Sequence, residues 1–140
     1  MSTDGGVTFG SIVNRDNSAE DSFDPPIAAA GNNVYVAWHD NSIGDTEILH
    51  RRSTDGGGTF GSAVNLSSNE GSSQNPNVAA IGNNVYVGWE ATTFGNREIL
   101  QRRSTSTGTS FGTTVNLSNN PGISNHPSIA AVNNLPIASE

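Results

Sequence analysis

The sequence predicts an all-β chain made of propeller blades, each of four antiparallel strands. Three observations carry that expectation. One phrase of serine, threonine, aspartate and glycine recurs, and its three copies open at Ser2, Ser53 and Ser104, 51 residues apart. A fixed period of this length marks one supersecondary unit copied along the chain. Each period contains four short apolar runs separated by Gly, Asn and Ser, which is strand-and-turn punctuation. No segment sustains a helical period. Four strands in about fifty residues is the pattern of a propeller blade. The runner-up, an all-β sandwich, needs no identical phrase at a constant interval.

The elements follow in order. Residues 27–30 form a small-apolar run after Pro25-Pro26, the first strand of a blade. Gly31-Asn32-Asn33 is a hairpin signal, because Gly and Asn tolerate positive φ. Residues 34–38, Val-Tyr-Val-Ala-Trp, are β-branched and aromatic, the strongest strand of the unit. A polar loop over 39–45 leads to residues 46–52, where apolar and polar positions alternate as in a third strand. The serine phrase then makes a turn, and residues 60–66 make the fourth strand. The next period repeats this. Gly82-Asn83-Asn84-Val85-Tyr86-Val87-Gly88-Trp89 copies the hairpin, Glu98-Ile99-Leu100 copies Glu47-Ile48-Leu49, and Val115-Asn116-Leu117-Ser118 copies Val64-Asn65-Leu66-Ser67. Pro25, Pro76 and Pro127 hold one register. The chain therefore reads as a single repeat domain over 1–140, with a blade remnant at 1–23, blades at 24–74 and 75–125, and a partial blade at 126–140.

Composition narrows the classes. The chain has 140 residues and no cysteine, so it has no disulfide framework and no thiolate metal site. The net charge is −7, which argues against binding a phosphate backbone. No long apolar run suits a membrane span, and no charged-then-apolar leader opens the chain.

The phrase resembles the Asp-box, or BNR repeat, of sialidase-like β-propellers. Ser53, Asp55, Gly57, Thr59 and Phe60 fill its pattern, and Ser2, Asp4, Gly6, Thr8 and Phe9 fill it again. The third copy keeps Ser104, Gly108 and Phe111 but has Ser106 in place of the Asp and Thr107 in place of Gly56. The resemblance implies that the box sits on the hairpin joining the third and fourth strands of a blade; Asp4 and Asp55 would then lie on different blades, on the rim away from the axis. It also implies an extracellular or cell-surface location. The box residues need no catalytic role. An Asp in a turn accepts backbone N–H bonds, Gly supplies left-handed backbone, and Phe pins the hairpin.

The resemblance raises hydrolysis of sialosides, which in that family uses an arginine cluster, a Tyr–Glu pair and an Asp acid/base. Here Arg51-Arg52 and Arg102-Arg103 recur in register, as do Tyr35 and Tyr86. They repeat with the framework, whereas a catalytic site is a one-off on a repeated scaffold, and fold does not carry activity. The expectation is no enzyme, no catalytic residue, no metal and no cofactor. The loop Asp40-Asn41-Ser42-Ile43-Gly44-Asp45 offers oxygen ligands of the kind Ca²⁺ takes, but its counterpart Ala91-Thr92-Thr93-Phe94-Gly95-Asn96 lacks both carboxylates. A hydrated loop is the default. His39, His50 and His126 sit in different registers and make no metal spacing.

The copies differ most in their loops. If the chain recognises a ligand, the candidates are His39, Asp40, Asp45, Glu90, Phe94 and Arg97, with Phe23 beside them. The expected function is a non-catalytic, self-assembling repeat protein, a scaffold or surface binding module. The alternatives are a glycan-binding, lectin-like module, or a piece of a sialidase-like hydrolase without its catalytic residues. The strand count gives about 2.7 blades per chain, too few to close a ring. The expected partner is therefore a second copy, a dimer that completes the ring, and glycans are the other candidate partner.

Overall fold

The computed structural model describes residues 2, 4–15, 21–42 and 44–133. It is all-β. Among the described residues the strands are β1 (Ser22–Phe23), β2 (Ile27–Ala30), β3 (Asn33–Asp40), β4 (Glu47–Ser53), β5 (Val64–Asn65), β6 (Ser73–Ile81), β7 (Asn84–Ala91), β8 (Glu98–Ser104) and β9 (Val115–Asn116). They form two antiparallel sheets. The first runs β1-β3-β4-β5, with β2 also paired to β3, and the second runs β6-β7-β8-β9.

Local chemistry sets each hairpin. Gly31 takes φ 58° and Gly82 takes φ 53°, the left-handed backbone that a two-residue hairpin turn needs at its first central position. They fix the pairings Ala30 with Asn33 and Ile81 with Asn84. The β3–β4 ladder pairs Trp38 with Leu49, and the β7–β8 ladder pairs Trp89 with Leu100 at the same register. Asp24 and Asn75, each just before its proline, also take positive φ. In the first sheet this break separates β1 from β2, and in the second it is a register shift inside β6.

The sheets share one core. Tyr35 and Ala37 of β3 and Ile48 of β4 are buried with Val78, Val85, Val87, Trp89 and Leu100 of the second sheet. Alternation along β3 puts Val36 and Trp38 on its other face. There they meet Val13, Arg15, Pro25 and Ile27 around a cleft of about 400 Å³. The other face of β7 is approached by the segment after β9. A Cβ on Gly88 would lie 2.6 Å from the Cδ1 of Ile129, so only glycine admits this contact without a shift.

The architecture corrects the sequence expectation. The chain forms two open, unclosed antiparallel sheets, not a ring of four-stranded blades, and the first sheet has five strands. A closed ring requires sheets all the way round an axis, and the outer periods supply none. Residues 4–15 hold most of the first serine phrase but no strand, and residues 117–133 hold none either. The partial blade expected at 126–140 is therefore a strandless segment as far as residue 133, and residues 134–140 lie outside the described ones. The completion of a ring by a partner copy goes with the ring. The fourth strand is also shorter than expected. Of residues 60–66 only Val64–Asn65 pair as a strand, flanked by single bonds from Gly61 N to Arg52 O (3.0 Å) and Leu66 N to Ile48 O (2.8 Å). Gly61 and Ser62 are poor strand residues, and the exposed edge beyond them gives no pairing to offset their entropy.

Candidate functional site

The three serine phrases fold into one hydrogen-bonded turn. In the second, Ser53 Oγ donates to Asp55 Oδ1 (2.6 Å) and accepts from Gly57 N (2.8 Å). The Asp55 carboxylate accepts from the N–H and the hydroxyl of Thr59, at 2.9 and 2.7 Å. Ser2, Asp4, Gly6 and Thr8 make the same bonds. The hydroxyls of Ser53 and Ser2, with the Thr59 and Thr8 bonds, hold the Asp55 and Asp4 carboxyls far below the usual range. In the third turn Gly108 N still donates to Ser104 Oγ (2.9 Å), and Ser110 N donates to Ser106 Oγ (3.1 Å). A hydroxyl thus replaces the carboxylate, and Thr107 takes the left-handed φ of 54° otherwise given to Gly. Each of the last two turns is tied to the neighbouring hairpin, through Gly56 N to Asn32 O (2.8 Å) and Thr107 N to Asn83 O (2.9 Å). Phe60 lies under the Arg15 guanidinium (4.9 Å), and Phe111 meets His50 edge-on (5.2 Å). These are framework contacts.

The loop ends bring some of the sequence candidates together. Asp40 is fully buried at the end of β3. Its carboxylate accepts from Trp38 Nε1 (3.2 Å), Ser22 Oγ (3.1 Å) and Ser42 N (2.8 Å), and from the Ser42 hydroxyl. Burial pushes this carboxyl up, but the bonds from Ser42, Trp38 and Ser22 together hold it below its usual value. Glu90, at the end of β7, is also buried. It accepts from Asn75 Nδ2 (2.7 Å), from His126 N (3.2 Å) and from Arg97 Nη1 in an ion pair at 3.2 Å. His39 stacks on Phe23 at 5.3 Å. Burial lowers its imidazole, and the nearby carboxylates of Asp24, Glu90 and Asp40 oppose that without reversing it. Asp45 is exposed and stands apart from these bonds. Phe94 is 59% exposed and borders a groove with Asn96, Glu98, Asn116, Asn119 and Pro121. Among the described residues no group of three or more His, Asp or Glu side chains is placed to hold a metal ion.

Several organising residues escape a reading by motif. Ile48 N donates to Ser67 Oγ (2.8 Å), and that hydroxyl donates to the buried Glu47 carboxylate. Ile99 N, Ser118 and Glu98 repeat the arrangement. The signal was present, because both pairs recur at the 51-residue interval. Arg52 reaches across the sheets to Thr107 O (2.7 Å) and Thr109 Oγ1 (2.8 Å). Beneath it the fully buried Tyr35 stacks on His50. Burial, then the Arg52 charge, push the His50 imidazole down to about 4.

With this geometry in place, the comparisons can be stated. The chain resembles a sialidase from Trypanosoma rangeli, solved in complex with sialic acid, with a TM-score of 0.54 at 16% identity. The match covers 69% of this chain and 20% of that one, so the chain spans about a fifth of the sialidase's length. Likeness at this identity is kinship of fold. No protein-family model and no curated protein matches the chain. Among the described residues no helix is long and apolar enough to cross a membrane.

Proposed function

We propose that this chain is a non-catalytic module of sialidase-like fold that contacts glycans through the groove beside Phe94. The observation that carries this is the exposed Phe94 ring, which borders one groove with Asn96, Asn116 and Asn119. An apolar ring face with amides around it suits a sugar, which offers C–H groups on one face and hydroxyls at its edge. The net charge of −7 and the absence of a cation from that lining favour neutral sugars over acidic ones. The non-catalytic part rests on how the carboxylates are used. Asp40, Glu47 and Glu90 are buried and hydrogen-bonded within the framework, and the one carboxylate that borders the groove, Glu98, is bonded to Ser118 and Asn96, whereas a general acid or base must be placed to exchange a proton with the substrate.

A glycan array tests the binding part. Retention of neutral glycans by the wild type and its loss in Phe94→Ala are expected; an array with no Phe94-dependent signal rejects it. Turnover of a fluorogenic sialoside would overturn the non-catalytic part. A second reading, association between copies, is favoured by the exposed Val7, Phe9 and Ile12. Light scattering showing a monomer at micromolar concentration would count against it.

A further inference from the structure

The two sheets carry the same set of donor positions at one end, and only the first has the acceptor. In the first sheet Trp38, Ser22 and Ser42 donate to the Asp40 carboxylate, and Ser22 pairs with Asp40 across the strands. Trp89, Ser73 and Thr93 stand 51 residues further on, and Ser73 pairs across the strands with Ala91. The donors are kept and the acceptor is gone. Trp89 is fully buried, and among the described residues its Nε1 has no hydrogen-bond partner. The buried Thr93 hydroxyl has none either, and the Ser73 hydroxyl has only a long bond to Asn69 (3.3 Å). A buried N–H left unpaired in a native fold calls for an acceptor.

We propose that the Trp89–Ser73–Thr93 end of the second sheet binds a small carboxylate supplied from outside the chain, in the place that the Asp40 side chain occupies in the first. The first sheet is the precedent within the molecule. There, among the described residues, neutral N–H and O–H donors hold an ionised carboxylate at a buried position. The second sheet lacks the Cβ–carboxylate arm, so the complementary ligand is a free monocarboxylate of about formate size. These residues lie at the start of the β7–β8 loop, where Thr93 is half-buried and Phe94 exposed.

The probe is sodium formate, and the readout is the two indole N–H resonances of the ¹⁵N-labelled chain, assigned through Trp38→Phe. Formate is expected to move the Trp89 resonance saturably and leave that of Trp38 in place, while sodium chloride at equal ionic strength moves neither. Thr93→Val, which removes one donor, should weaken the apparent affinity about fivefold. Ala91→Asp fills the socket covalently and should abolish the response. A Trp89 resonance that ignores formate, that moves equally with chloride, or that still responds in Ala91→Asp overturns the proposal. Should Ala91→Asp not fold, Thr93→Val decides: an unchanged formate affinity rejects the site.

Discussion

The two sheets share a plan and a register, and they differ in where their polar groups find partners. In the first, Trp38 has Asp40, His50 lies under the third turn, and Arg52 is clamped onto Thr107 and Thr109. In the second, the matching positions are Trp89 beside Ala91, Gln101, and an exposed Arg103 that reaches Asn84 and the Tyr86 ring of its own sheet. Asp40 against Ala91 and His50 against Gln101 are differences of sequence, whereas the unequal use of two identical arginines comes from position. The inner face of the first sheet is covered by the second sheet and its turn, whereas the outer face of the second meets only the strandless segment around Ile129. Equal sequence units therefore acquire unequal energetics from what stacks on them.

The largest test of this contrast is pH. Between pH 6.5 and about 4 the unfolded chain protonates at His50 while the folded chain does not. Stability should fall as pH falls through that window, by on the order of 3 kcal/mol. Urea titrations at a series of pH values measure it. His50→Gln, which copies Gln101, should remove this part; a profile unchanged by the substitution would refute the burial argument.

Asp40→Ala makes the first socket a copy of the second. It strands the donors of Trp38, Ser22 and Ser42 and should cost about 2–3 kcal/mol in urea unfolding. A loss below about 0.5 kcal/mol would show that water replaces the carboxylate at no cost.

Arg52→Ala should cost about 1–2 kcal/mol, and Arg103→Ala no more than about 0.5, because Arg52, unlike Arg103, bridges the sheets. Equal losses in calorimetry would break the comparison. The smallest effect is expected from Asp55→Ser, which gives the second turn the chemistry of the third. Its melting temperature should lie slightly below the wild type's at pH 7. The depressed Asp55 carboxyl stabilises the fold above the usual value of 3.8 and loses that contribution as pH drops below it. The gap should therefore close in acid, and a gap independent of pH would assign the loss to geometry instead of charge.

Much of this was legible before any coordinates. The hairpins at Gly31 and Gly82, the third strands, and the serine turns follow from local chemistry, because φ preference and hydrogen bonds within four residues act in any context. The loop candidates were legible only in part. His39, Asp40, Glu90 and Arg97 do come near one another or into shared bonds, while Asp45 stays apart. Their burial was not visible, since a carboxylate in a polar loop looks solvated until Trp38 and Ser22, or Asn75 and residue 126, close over it. The fourth strand failed as a local inference, because an edge segment pairs only where its neighbour and its own glycine allow.

The order of amino acids settled the repeat, its turns and its strand register, since each depends on residues close along the chain. Which faces became interior, and which side chains were bridged from one sheet to the other, were decided by stacking between distant segments. Those outcomes depend on the number of layers and on what covers the last one, and no periodic sequence specifies its own neighbours.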